Sequence, residues 1–406
     1  MALLLASDYY VLLEIFIFLA VAQVIRSIAR KVGFPEIVAD LLAGMVIGSY
    51  AIGGVIDGLL GRPLFELSAG VLLFADLAVV LLLFSSGLDG GFISLRRAGL
   101  PAVGAAIAGD VVPFSVAVLV FSHFYPINTA LLLGVAVAPT SAAVAASLIR
   151  SEKLGENRGA QFLMNASALD DVVALVMLSV VLAIVNGHTD PWELTGTVVT
   201  SIVAWVVLLL AAVVLLPRVL KVRVLRENDS VPFALLFILI AIVLALGFSP
   251  VIGAFIAGLA IAESVVADRT REITAVLVAV FGSLFFIVVG AEFDVNLLRD
   301  PVLLATALGL AAVAALGKAA GVYPFAFYRL RDRASAGAVA SGMIPIGEIG
   351  LLVGALGLSS GLFTPELFGA VVVMAIVTTL VGSLLFPRAA RTFRAVASAS
   401  SAPPAP

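Results

Sequence analysis

Two adjacent carboxylates, Asp170 and Asp171, stand in the string SALDDVVAL (167–175), inside the apolar run from Phe162 to Val185. A carboxylate at bilayer depth costs about 2.5–3.5 kcal/mol on insertion scales, and acids kept there mark ion or proton pathways. Adjacent residues on a helix point about 100° apart, so the two cannot address one partner equally. One can pair with a cationic side chain while the other faces an aqueous cavity. Ser167, at i−4 from Asp171, shares its face. With the hydroxyls or freed carbonyls of Thr140 and Ser141, Ser167 and Asp171 make a set of hard oxygen ligands suited to a small cation such as sodium or lithium. Protons use the same carboxylates. Burial favours the protonated form of an acid, and a cation then competes for the same charge.

The cationic side chain is Lys318, about eleven residues or ~16 Å of helix from Arg329, which places it near mid-bilayer. A full snorkel to the headgroups is a long reach from there, so a buried partner is expected, with Asp170 as the paired acid and Asp171 as the ion and sodium ligand. Asp76 and Asp110 also lie at membrane depth; for them an interhelical hydrogen bond to Ser or Thr is expected at least as much as a transport role. Asn165 reads as interhelical glue. His123 and His188 fall in outward connections without an acidic cluster and read as solvated residues. No resident cofactor is expected.

These residues need a membrane-spanning scaffold, and the composition demands one. The chain is 62% hydrophobic and 12% charged, with a mean hydropathy of +1.22, against about 25% charged in soluble domains. Apolar runs of bilayer length recur thirteen times, near 8–25, 36–53, 68–88, 98–121, 128–149, 160–185, 195–217, 231–248, 250–266, 273–290, 301–327, 335–357 and 366–386. All but three of the 23 basic residues fall in alternate connections; the exceptions are Arg62, Arg299 and Lys318. By the positive-inside rule this puts the N-terminus outside and the C-terminus in the cytoplasm. The first span carries Glu14 and lacks a basic leader region, so it is not read as a cleaved signal. Cysteine is absent, which removes thiol chemistry. The connections are short and carry no phosphate loop, so nucleotide and nucleic-acid partners are not expected. The end of the chain, small, polar and proline-rich, reads as disordered.

Two spans carry breaking residues at their centres, VAPTSAAV (137–144) in the fifth and GMIPIGEIG (342–350) in the twelfth. Proline removes a donor, and in lipid the freed carbonyls must face protein or a water-filled cavity. The two spans are seven apart and so cross in opposite directions. Matching interrupted helices in oppositely oriented halves point to a transporter site at the midplane. Crossed breaks bring two helix N-termini and two C-termini together, and Glu348 is placed to compensate the positive ends. The fold expected is an all-α polytopic membrane protein of thirteen helices, an inverted repeat with two crossed discontinuous helices.

Thr140–Ser141, Asp170–Asp171, Gly317–Lys318 and MIPIGEIGLLV (343–353), together with PEIVADLLAGMVIG (35–48), VLLLFSSGLD (80–89) and PVIGAFIAGLAIAES (250–264), resemble the bacterial sodium/proton antiporters of the second cation–proton antiporter group, over about residues 10–390. The resemblance implies the NhaA-like fold. It implies an ion-transport core of 98–190 and 300–390, sliding as an elevator against a panel of 1–97 and 229–299. A linker helix in 191–228 and a tail of 391–406 complete the division. It further implies an inner-membrane homodimer in contact with lipid, with Asp171 as ion and proton carrier and Asp170 as the partner of Lys318. The paired acids imply electrogenic exchange, with Lys318 supplying the second proton. Two departures stand out: Ile346 occupies the place of a usual arginine, and Asp110 replaces an apolar residue. The rival expectations are potassium/proton exchange, a sodium-coupled organic-anion symporter, a channel, and an intramembrane aspartyl protease, for which the GxGD string is missing.

Overall fold

The computed structural model describes residues 2–61, 64–91, 99–154, 157–185, 187 and 191–400, with the side chains of 2–10, 191–195, 197–198, 201 and 391–400 outside that description. Arg62, Arg96, Arg97, His188 and the end of the chain from 401 therefore lie outside the described residues, as do the side chains of Arg391 and Arg394. Among the described residues every regular element is a helix. In chain order these are α1 (Ala2–Val32), α2 (Glu36–Ile47), α3 (Ile52–Leu60), α4 (Ala69–Gly90), α5 (Leu100–Phe121), α6 (Ile127–Val137), α7 (Ala142–Ser151), α8 (Arg158–Val185), α9 (Pro191–Val219), α10 (Arg223–Arg226), α11 (Val231–Ala245), α12 (Pro250–Ile261), α13 (Ala267–Glu292), α14 (Pro301–Leu330), α15 (Arg333–Gly342), α16 (Glu348–Ser359) and α17 (Pro365–Ser400). A 3₁₀ turn, Val295–Arg299, precedes α14.

Ten stretches of the described residues are long and apolar enough to cross a bilayer, and the shorter apolar helices α11, α12 and α16 occupy the other three of the thirteen positions. Three details differ from the sequence expectation. The second span is divided at Gly48–Ala51 into α2 and α3; α11 stops at Ala245; and α17 runs on to Ser400, where a disordered tail was expected from 391.

Packing sorts the helices into two groups. In the first, α4 lies against α12 and α13, and α2 against α13. In the second, α14 lies on α5 and α17, α15 on α17 and α8, and α6 on α16. Helix α9 touches both groups, through α8 and α12. Lipid tails supply no hydrophobic drive between helices, so close backbone approach at small residues does the work. A Cβ at Gly321 of α14 would stand 2.2 Å from the Ala108 carbonyl oxygen of α5, and one at Gly317 would stand 2.7 Å from Pro113. These two helices meet backbone to backbone.

Several polar side chains of α1, α2, α4 and α13 are paired. Arg26 reaches the buried Asp40 at 2.7 Å through Nε and 2.5 Å through Nη2. The Ser68 hydroxyl donates to the buried Glu14 at 2.5 Å. At the end of α4, the Arg271 guanidinium donates twice to the Leu88 carbonyl, at 3.1 and 2.9 Å.

Helix α15, the first half of the second interrupted span, starts from an Asp332 cap. That carboxylate accepts from the Ser335 N–H at 2.7 Å and from its hydroxyl at 2.5 Å, and these donors hold it below the usual carboxylate range. Loss of such a cap typically costs about 1 kcal/mol. Asp332→Ala is therefore expected to lower the melting temperature at neutral pH. A depressed pKa stabilises above the unfolded value, about 3.9, and the benefit is lost as pH falls through the folded one. The gap between variant and wild type in a melting series should close in acid; a gap independent of pH would remove the charge from the cap.

Candidate ion site at the crossed helix breaks

Pro139 and Pro345 have no N–H to continue a helix, and each ends one. α6 stops at Val137 and α7 restarts at Ala142 with Ser141 as its cap; α15 stops at Gly342 and α16 restarts at Glu348. The two gaps are joined to each other. The Ser141 N–H donates to the Pro345 carbonyl at 2.8 Å, and the Thr140 hydroxyl to the Met343 carbonyl at 2.8 Å. Thr378 and Thr379 of α17 tie down Ile346: one accepts from its N–H at 3.3 Å and the other donates to its carbonyl at 3.2 Å. The freed backbone groups thus find protein partners, as the bilayer interior requires. The crossing is close because it is lined by glycine: a Cβ at Gly347 would stand 2.5 Å from Ser141 Cβ, and one at Gly350 2.7 Å from the Ala136 carbonyl oxygen.

Glu348 is the first residue of α16, and its carboxylate accepts from the Ser141 hydroxyl at 3.0 Å. Ser141 caps α7. One buried carboxylate therefore sits at two helix N-termini, each carrying about half a positive charge. The C-terminal end of α15 receives the Thr140 hydroxyl, and the position of the usual arginine is filled by the fully buried Ile346.

The acids lie beside this crossing. Lys318 is fully buried, with Nζ 2.5 Å from Asp170 Oδ1 and 2.7 Å from Asp110 Oδ1. The second oxygen of Asp170 accepts from the Thr140 N–H at 2.5 Å, so Asp170 bridges the lysine and the first break. The partner of Asp110 corrects the sequence expectation: it binds the ammonium of α14 and not a Ser or Thr hydroxyl. A signal was present in the sequence. Gly109–Asp110 and Gly317–Lys318 stand on the helices that precede the interrupted span in each half, an acid and a base at matching places. Asp76, by contrast, is exposed on α4.

Asp171 is fully buried, and its Oδ2 accepts from the Ser86 hydroxyl of α4. Ser86 belongs to the FSSGLD string, yet its contact is with a helix of the other packing group. No spacing rule in one chain reveals such a pair. Asp171 Oδ1 and Ser167 Oγ are both buried without a hydrogen-bond partner among the described residues. Burying a polar oxygen unpartnered is costly, and these two lie on one helix face four residues apart. Thr140 and Ser141 spend their hydroxyl hydrogens on Met343 and Glu348, but an oxygen that donates its hydrogen keeps lone pairs for a cation.

Interrupted helices crossing around buried acids and a buried lysine, in a multi-pass membrane scaffold, define a secondary transporter and not an enzyme. Residues 15–391 match the family model described as "Sodium/hydrogen exchanger, transmembrane", and the chain belongs to that family. It is similar to a Na(+)/H(+) antiporter of Enterococcus hirae, 26% identical over 376 residues covering 90% of this chain and 94% of the relative. It is also similar to the Na(+)/H(+)-K(+) antiporter GerN of Bacillus cereus, 25% identical with 91% and 93% covered. Among solved structures, the sodium proton antiporter MjNhaP1 of Methanocaldococcus jannaschii at pH 8 has a TM-score of 0.73 at 15% identity, covering 95% of this chain and 96% of that one. That likeness carries the fold.

Removing the base from such a buried cluster strands its acids, a change that typically costs about 3–5 kcal/mol. Lys318→Ala is expected to lower thermal stability in detergent by that order. Adding Asp170→Asn or Asp110→Asn should each recover part of the loss. Strictly additive losses in either double-mutant cycle would show that the pair does not interact.

Proposed function

We propose that the protein exchanges sodium for protons at Asp171 by alternating access. The observation that carries this is the fully buried Asp171 carboxylate, with one oxygen unpartnered beside the unpartnered Ser167 hydroxyl. A proton on that carboxylate, or a cation shared with Ser167 and the oxygens of Thr140 and Ser141, would each satisfy both groups, and the two cannot be bound at once. That exclusion is all an exchanger requires. Lithium, another small hard cation, fits the same oxygens. Potassium is the second reading, favoured by the name of the B. cereus relative, a Na(+)/H(+)-K(+) antiporter.

The moving unit in this proposal is 98–190 with 300–390, which holds every site residue except Ser86, sliding against the panel of 1–97 with 229–299. The linker in 191–228 supports it, since α9 packs on both α8 and α12. The panel would also carry the homodimer contact, in the inner membrane with the N-terminus outside and the C-terminus in the cytoplasm. Two carboxylates at 170 and 171 support an electrogenic cycle. One proton leaves Asp171 as the cation arrives. The second leaves the Lys318 group once Asp170 has turned from the lysine to the cation. Two protons then exchange for one monovalent cation, and one net charge moves.

In proteoliposomes with a pH reporter, sodium, lithium and potassium tested in turn should give cation-dependent proton flux for the first two. Asp171→Asn keeps the shape of the side chain and removes its charge. It should abolish that flux while the protein still inserts, and exchange at near wild-type rate would remove Asp171 from the carrier role.

A membrane potential acts on the moved charge with about 2.3 kcal/mol per 100 mV, enough for more than a tenfold sodium gradient. A potential imposed with valinomycin, at equal pH on both sides and once potassium has been excluded as a substrate, should drive sodium. Flux indifferent to the potential would mean one-for-one exchange.

A further inference from the structure

We propose that Asp110 is a positioning residue of the exchange cycle: it is the standing counter-ion of Lys318, and it keeps the ammonium paired while Asp170 leaves the lysine for the incoming cation, until the lysine proton departs. The proposal rests on the exchanger reading above and adds a residue to it.

The lysine has two carboxylates within hydrogen-bond distance, at 2.7 Å for Asp110 and 2.5 Å for Asp170, and all three side chains are fully buried. Distance does not tell the two partners apart. Their anchorage does. Asp110 and Lys318 stand on α5 and α14, whose backbones touch on both sides of the lysine, at Gly317 against Pro113 and at Gly321 against Ala108. A Cβ at Gly109, beside Asp110, would likewise stand 3.0 Å from Val322 of α14. That close contact fixes the spacing of α5 and α14, which carry Asp110 and Lys318 side by side on helices packed backbone to backbone.

Asp170 reaches the ammonium from a third helix, α8. Its other oxygen is held by the Thr140 N–H at the break, and its neighbour in the chain is Asp171. It is therefore the one carboxylate that touches both the lysine and the ion path. With a single partner, Lys318 would be left as an unpaired buried ammonium whenever Asp170 turned away, and that penalty would oppose cation binding. With Asp110 fixed beside it, the ammonium keeps a partner while Asp170 turns, until its own proton leaves. The charged groups at the site are then Asp110 from α5, Asp170 and Asp171 from α8, Lys318 from α14 and Glu348 from α16. Of the Lys318 partners, only Asp170 has to move. Asp110 Oδ2, buried and unpartnered among the described residues, is not needed for ligation in this scheme.

The test uses the full chain in proteoliposomes. In Asp110→Asn, Asp170 becomes the sole counter-ion of Lys318 and is held more tightly, so the apparent KM for sodium should rise about tenfold, the ratio that ~1.4 kcal/mol gives. Asp110→Glu should bring it back toward wild type. Gly321→Ala, which pushes α5 from α14 without touching a charge, should raise KM in the same direction, and it carries the test if Asp110→Asn fails to insert. Double-mutant cycles by thermal melting add a readout that a merely structural role would not move. Saturating sodium should weaken the Lys318–Asp170 coupling more than the Lys318–Asp110 coupling. An unchanged sodium KM in a well-inserted Asp110→Asn or Gly321→Ala, or a Lys318–Asp110 coupling that sodium weakens as much as the Lys318–Asp170 coupling, overturns the proposal. Absence of sodium–proton exchange in the wild type would instead overturn the exchanger reading itself.

Discussion

Everything in this molecule answers to the cost of keeping charge inside a bilayer. Lys318 is the fixed point. Its ammonium is wholly out of water and is neutralised by Asp110 and Asp170 from two other helices. Once those distances are demanded, α5, α8 and α14 must converge at one depth, and the first break must come close enough for the Thr140 N–H to take the free oxygen of Asp170. The glycines of α14 and the proline of α5 follow from the same requirement, because bulkier faces would hold the acid and the base apart. Buried ion pairs are weak evidence for stability, since desolvation offsets most of their attraction. A cluster that contributes little net stability and still determines the placement of three helices is better understood as machinery.

The crossed breaks solve a second version of the same problem with partial charges. Four helix ends meet in the core, and each carries unsatisfied backbone groups. Glu348 stands at two of the positive ends through its own helix and through the Ser141 hydroxyl. At the negative end of α15 a hydroxyl stands in for a cation, Thr140 donating to the Met343 carbonyl, while within the break Thr378 accepts from the Ile346 N–H and Thr379 donates to its carbonyl. With a neutral donor at that end and both groups of the Ile346 peptide bonded, an isoleucine is tolerated at 346. A neutral hydrogen bond satisfies the backbone group, and no additional charge has to be desolvated.

How far the sequence reaches depends on whether a feature is periodic or relational. Spans, interruptions and the alternation of basic residues are periodic, so the thirteen-position scaffold and the breaks at Pro139 and Pro345 are legible from composition and spacing. Asp170, Asp171 and Lys318 announce themselves as charges at forbidden depth. The partner of a charge is relational and was only partly legible. For Asp110 a hydroxyl partner stood at least level with a transport role, because nothing in its own helix names a base; the clue lay in the other half of the repeat, where Gly317–Lys318 answers Gly109–Asp110. Ser86 gave less still. Its contact with Asp171 joins two helix groups, and only their packing brings the hydroxyl and the carboxylate together. The extra break between α2 and α3 has a similar origin, because Gly48 is a poor helix former but no proline marks the spot.

The Ser86–Asp171 contact links transport chemistry to motion. Ser86 rides on α4, which packs with α12 and α13, while Asp171 rides on α8 within the other group. Any sliding of one group past the other must break this hydrogen bond. A cation bound at Oδ1 of Asp171, or a proton placed there, withdraws negative charge from the oxygen that holds Ser86. Either ligand therefore weakens the hold of the panel as it neutralises the carboxylate, and an empty, charged Asp171 keeps it. An exchanger must not let its unloaded carrier cross, because an empty crossing dissipates the gradient. In the proposed sliding cycle, a panel hydroxyl that favours the ionised acid would supply that restraint with one hydrogen bond, weakened by the same event that makes the crossing useful.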